Sequence, residues 1–217
     1  MKRFVTLLCV VSPLLLLTSG CVTGRRTVSL PVHSLGTPAA ASKGDFLISS
    51  VTDNRHFENK PSDPSTPSID GDVNSLTPDQ KASMIGRQRN TYGHAMGDIA
   101  LPASDSVVQR TQELLKDALE QRGYHVTQDA AAPNSASVSI DQFWAWFTPG
   151  FASVSFEARV YCTLTIHKGG NGGTVVIKGN GLNRGQMASD ANWALAYDRA
   201  FTDFLQKFGP EMEKAGL

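Results

Sequence analysis

From Ala152 to Ile166 the chain alternates between apolar and polar residues without a break. The even positions are Ala152, Val154, Phe156, Ala158, Val160, Cys162, Leu164 and Ile166; the odd ones are Ser153, Ser155, Glu157, Arg159, Tyr161, Thr163 and Thr165. Successive side chains of a strand point to opposite faces, so this pattern dictates one long strand with one buried face. Before it, Val138 to Phe147 is rich in β-branched and aromatic residues, and Thr148-Pro149-Gly150 turns the chain. After it, Gly169 to Gly173 turns the chain again into Thr174–Gly179. The expectation is an antiparallel three-strand meander.

Two amphipathic helices flank the meander. Ser106 and Gln109 have capping-box spacing, and Asp105 suits a helix N-terminus. Val107, Val108, Leu114, Leu115, Ala118 and Leu119 then share one face, and Gly123 supplies a C-terminal cap. The second helix opens at Ser189-Asp190, buries Trp193, Tyr197, Ala200, Phe201, Phe204, Leu205 and Phe208, and is expected to stop at Gly209-Pro210. Asp45 to Val51 reads as a strand, parallel to the one that follows the first helix at Tyr124-His125-Val126. The expected fold class is α+β. Its antiparallel-rich sheet, the meander plus an N-terminal strand, is covered on one face by the two helices. A length of 217 residues with 41% hydrophobic composition suits one such domain with an extension.

The extension is N-terminal. Lys2 and Arg3 precede an apolar run, Phe4 to Leu17, that is too short for a permanent span of about 20 residues. Leu17-Thr18-Ser19-Gly20-Cys21 resembles the bacterial lipobox, in which the Cys is acylated and becomes the mature N-terminus. The other reading is an ordinary signal peptide cut near Gly20. Val22, rather than Asp, after the Cys implies outer-membrane sorting, with the domain facing the periplasm. Cys9 leaves with the signal and Cys21 is lipidated, so Cys162 has no intramolecular disulfide partner. The expected organisation is a signal peptide at 1–20 and a flexible tether at 21–43. A domain at 44–208, carrying a mobile polar excursion at 56–81, and a tail at 209–217 complete it. Val28, Leu30 and Val32 alternate and can form a short edge strand within the tether.

Chemistry is harder to find. Without Lys2 and Arg3 the basic residues number two fewer than the 20 acidic ones, a balance with no long-range pull on nucleic acid. Gly169 to Gly173 lacks the Lys-Ser/Thr of a phosphate loop and lies between strands. The five histidines are scattered without metal-ligand spacing, and Cys162 falls on an apolar strand face. No catalytic residue, cofactor or metal is therefore expected. Three features are candidates for a partner surface. Asp53 and Arg55 leave the first strand on the same side; they either face a partner or fix the turn, Arg55 then pairing with a helix C-terminus. Arg87, Arg89 and His94 flank a bend near Asn90 and Gly93; they either present positive charge or belong to a solvated turn. Trp144 and Trp146 share one face of their strand while Phe143, Ala145 and Phe147 hold the other. Either the strand is covered on both sides or the tryptophans form an exposed aromatic patch.

Several of these pieces together resemble the YajG-like bacterial lipoproteins. They are Thr18 to Cys21, Val51-Thr52-Asp53-Asn54-Arg55, Ile85-Gly86-Arg87 with Asn90 and Tyr92-Gly93, and Glu120 to Val126, with the meander and the final helix. The resemblance spans about residues 44 to 208 and implies an envelope lipoprotein without established catalytic residues or ligand. The expected function is thus a non-catalytic outer-membrane lipoprotein, held to the membrane by its lipid and binding an envelope protein as an assembly or transport accessory. The alternative is a small-molecule or lipid-binding module with a pocket between helices and sheet.

Overall fold

The computed structural model describes residues 24–32, 34, 36, 42–90, 92, 94–150, 153–169 and 171–214. The signal peptide, Cys21 and Ala152 lie outside them. The strands are β1 (Arg26–Thr27), β2 (Gly44–Asp53), β3 (Met84–Arg89), β4 (Ala95–Ala100), β5 (Tyr124–Thr127), β6 (Asn134–Pro149), β7 (Val154–Lys168) and β8 (Asn171–Gly185). The helices are α1 (Pro78–Ser83), α2 (Val107–Gln121) and α3 (Asp190–Lys214).

The alternation in β7 does what it dictates. Phe156, Ala158, Val160, Cys162, Leu164 and Ile166 are buried, and Ser155, Glu157, Arg159, Tyr161 and Thr163 are only partly covered. β6, β7 and β8 form the expected meander, with β7 in the middle. α2 begins where Ser106 Oγ accepts from Gln109 N at 3.2 Å and ends before Gly123, whose φ of +88° is the left-handed conformation of a helix C′ position. Both helices bury their apolar faces in the main core, where Trp193, Tyr197, Phe201, Phe204 and Phe208 fill the space over the sheet. α3 does not stop at Gly209-Pro210 as expected but runs to Lys214. Pro210 deletes one backbone bond, the one to the carbonyl of the exposed Gln206, which solvent can satisfy. Buried Met212 and the Arg122–Glu213 pair at 3.3 Å hold the last turn.

The sheet is larger and more mixed than the antiparallel-rich one expected. Among the described residues it has eight strands. β1–β4, β2–β5, β2–β6 and β3–β6 are parallel; β3–β4, β6–β7 and β7–β8 are antiparallel. The reason is the length of β6. Its first half pairs with β2 and its second half, at Ala145 and Trp146, with β3, so one edge of β6 forks between two parallel neighbours. A bulge between Ile140 and Gln142 marks the fork.

Two boundary expectations change. The tether is shorter than 21–43: Gly24 N donates to Met96 O at 3.3 Å, β1 pairs with β4, and Val28 and Leu30 are each 2% exposed in the main core. The 56–81 segment is not a loose excursion. It leads into α1, whose start is capped by a box between Thr77 and Gln80, and it lays Phe57, Ile69, Val73 and Leu76 over Met84, Ala100, Trp144 and Trp146. Four apolar anchors in a polar sequence suffice because the sheet face beneath them supplies the rest of this second, smaller core.

Candidate functional site

The sequence candidates separate into two groups. Arg55 is 1% exposed and sits in the β6 fork. Its guanidinium is bidentate on Asp53, with Nε to Oδ1 at 2.8 Å and Nη2 to Oδ2 at 2.9 Å. It also donates to the carbonyls of Phe143 at 2.9 Å, Lys81 at 2.7 Å and Met84 at 2.5 Å. Lys81 is in the last turn of α1, so Arg55 closes that helix C-terminus. Burial alone would raise the Asp53 carboxyl; the hydrogen bonds and charge of Arg55 outweigh it and hold it below its ordinary value. With every donor directed inward, Arg55 offers nothing to a partner. Trp144 and Trp146, at 0% and 4% exposure, are likewise no surface. The indole of Trp144 donates to Pro64 O at 3.2 Å, and Gln142 Nε2 to Ser65 O at 3.0 Å, so this face of β6 holds the 56–83 segment down.

Arg87 and Arg89 are different. Two apart on β3, they lie beneath the same segment and line a cleft of about 480 Å³. Lys60, Pro61, Ser68, Asp70, Tyr92 and His94 line it with them. Arg87 reaches Asp98 at 3.7 Å and Asp70 at 3.4 Å, and its buried Nε makes no hydrogen bond within the protein. Ser68 Oγ is buried and unpaired in the same way. Arg89 Nη1 donates to Pro61 O at 3.0 Å. Burial lowers the Arg87 guanidinium below its ordinary value, against the pull of Asp98 and Asp70. Arg89 is lowered by burial and then by the like charge of Arg87, with Asp63 opposing. Asp98, which accepts from Asp70 N at 3.0 Å, is pushed up by its own burial despite Arg87. Among the residues lining the cleft, Lys60, Arg87 and Arg89 outnumber the one carboxylate, Asp70, whose side chain is largely in solvent, while Asp98 and Asp63 offset part of that charge from outside the lining. Chemically, this is a place for an anion.

Sequence reasoning found Arg87, Arg89 and His94 but missed Lys60, Ser68, Asp70 and Asp98. Asp98 was one residue out of reach: counting back from a bend at Asn90–His94 puts Gly97 opposite Arg87, and the register shift between Gln88 and Arg89 brings Asp98 there instead. Lys60, Ser68 and Asp70 arrive from a segment whose path over β3 no local pattern announces. Cys162 is wholly buried, and burial pushes its thiol up, away from nucleophilic use.

No family model and no curated protein matches the sequence. Among solved structures, the crystal structure of a Xanthomonas campestris protein of the family designated DUF330 matches with a TM-score of 0.45 and 10% identity, over 88% of this chain and 98% of that one. The crystal structure of an uncharacterized protein matches with a TM-score of 0.27 and 10% identity, over 88% of this chain and 95% of that one. No helix among the described residues is long and apolar enough to cross a membrane.

Proposed function

We propose that this chain is an outer-membrane lipoprotein, acylated at Cys21, whose periplasmic domain is a non-catalytic binding component of the cell envelope. The observation that carries the binding role is the cleft over β3, where Arg87, Arg89, Lys60 and Ser68 converge from two distant parts of the sequence. The sequence of small residues before Cys21 and the resemblance to YajG-like lipoproteins support the anchor and the compartment. A partner envelope protein, serving assembly or transport, would meet the domain on surfaces other than Trp144 and Trp146, which lie under the 56–83 segment.

Metabolic labelling with an alkyne fatty acid tests the anchor. Labelling of the wild type in the membrane fraction, and a Cys21→Ser variant that takes up no label, is the expected result. Unlabelled wild type released in soluble form would overturn it. A photo-crosslinking amino acid at position 92, on the cleft rim, tests the binding role in cells. Adducts at 92 that are missing from position 116, on α2, are expected; equal adducts at both would count against the cleft.

A further inference from the structure

The cleft and the point at which the chain leaves for Cys21 share one end of the sheet. β1 runs parallel to β4, with Arg26 opposite Ile99, so the chain traced backward from Arg26 follows β4 toward its start. Gly24 is already bonded to Met96 there. That end carries the β3–β4 bend with Tyr92, which is 87% exposed, and His94. It is also the end toward which Arg87 and Arg89 ascend along β3. A shallower depression of about 240 Å³, lined by Gly24, Arg25, Asp70, Gly97 and Asp98, adjoins the cleft through Asp70. Two residues, Val22 and Thr23, separate Cys21 from Gly24, and the three Cα–Cα steps between them span at most roughly 10 Å.

An acylated Cys21 therefore leaves the cleft no room to stand far from the bilayer. Its cations would lie at the level of the headgroups, with Tyr92, a residue whose ring suits that boundary, projecting from the same bend. We propose that the Arg87–Arg89 cleft binds a phosphate-type anion, and that the headgroup of an anionic phospholipid beside the anchor supplies it. This inference rests on the lipoprotein reading above. A phosphate matches the charge of the lining, with the Arg87 and Arg89 guanidinium groups on the floor and Lys60 at the rim; Arg87 Nε and Ser68 Oγ lie buried in the wall without a hydrogen bond inside the protein. Asp70, mostly in solvent and only 3.4 Å from Arg87, is the group such a ligand would displace.

The test uses the full-length acylated protein in nanodiscs of phosphatidylcholine, with or without phosphatidylglycerol, and reads the melting temperature by tryptophan fluorescence. A ligand that binds only the folded state raises it. Phosphatidylglycerol is expected to raise it by about 3 °C or more. Arg89→Gln and Lys60→Asn should each weaken the underlying affinity about tenfold and remove most of the rise. Asparagine tolerates the positive φ of 49° at position 60, which makes that variant the safer for folding. Arg89→Lys, which keeps the charge but not the fork, should keep only part of the rise, and Lys116→Asn, on the exposed side of α2, should keep all of it. No rise, or a rise untouched by Arg89→Gln and Lys60→Asn, would overturn the proposal. An equal rise from inorganic phosphate in pure phosphatidylcholine would overturn the headgroup and assign the cleft to a free anion. Mass spectrometry of the N-terminal peptide separates the two readings: an unmodified Cys21 defeats the anchor, while the inorganic phosphate titration still reads the cleft.

Discussion

Arg55 stands where β2 leaves β6 and β3 takes over, and it satisfies three carbonyls that this handover strands. Asp53 neutralises it through two side-chain contacts and also accepts the Arg55 backbone N–H at 3.1 Å. Arg55→Ala should therefore cost about 3–5 kcal/mol in a denaturant titration, because it uncovers the Asp53 charge and three buried acceptors at once. Arg55→Lys should recover less than half, since an ammonium cannot span the same fork. Asp53, in the β6 fork, and Asp98, beside Arg87, make opposite statements about pH. Asp53 is held below its ordinary value of 3.8, so its contribution is complete above that pH and is lost as pH falls through the lowered value. Asp98 is raised above 3.8, so its contribution is complete below that pH and is lost as pH rises through the raised value. The stability gap between wild type and Asp53→Asn should narrow in acid, and the gap to Asp98→Asn should narrow toward neutrality. Gaps that move in the same direction would refute this assignment. The pairing of Asp53 with Arg55 at a turn was legible from their spacing. The role of Arg55 at the fork was not, because its acceptors are 26, 29 and 88 residues away.

Among the elements, β7 was the most legible, since a period of two needs no partner to be recognised. Its neighbours show where that reading runs out. β6 looks apolar on both faces, and only its long-range pairing decides that Phe143 faces α3 while Trp144 meets Phe57. β8 poses a different problem, for among the described residues it pairs with β7 alone and would leave a long open edge. α3 closes part of that edge with side chains. Asp203 accepts from Asn180 N at 2.8 Å, Lys207 donates to Lys178 O at 3.2 Å, and Arg199 donates to Leu182 O. The helix comes this close because Gly179 and Gly181 lie beneath it; a Cβ at Gly181 would collide with the Ala196 carbonyl. Gly181→Ala should thus cost about 1–3 kcal/mol, from a helix forced off the strand. The combined variant Arg199→Ala, Asp203→Ala, Lys207→Ala should stay folded but self-associate through β8, visible as a rising sedimentation coefficient with concentration. Native Cys162, on the helix-covered face of β7, should resist thiol reagents until the domain unfolds; rapid labelling would mean the opposite face is buried.

At the scale of the molecule, the strand nearest the N-terminus joins the fold to its proposed anchor. The alternation Val28, Leu30, Val32 was visible in the sequence, yet three residues do not by themselves choose between a strand and a tether. The structure places the strand one step earlier: Arg26–Thr27 pairs with the open edge of β4, and Val28 and Leu30 follow it as buried chain outside any strand. Gly97 lets Gly24 approach that edge, since a Cβ there would sit on the Gly24 carbonyl. Leu30→Ala should cost about 2–5 kcal/mol, where a true tether residue would cost nothing measurable. Fold and position can then be separated by inserting about 15 Gly and Ser residues between Val22 and Thr23, a linker with a typical span of roughly 20 Å. The insertion touches no described contact, so the melting temperature in phosphatidylcholine nanodiscs should not change. It dilutes the headgroups as seen from the cleft, however, because the effective concentration of a tethered ligand falls as its tether lengthens. The rise produced by phosphatidylglycerol should drop by about half or more. If the rise survives in full, the cleft reaches its anion without help from a short tether, and the placement of Arg87 and Arg89 beside the membrane is wrong.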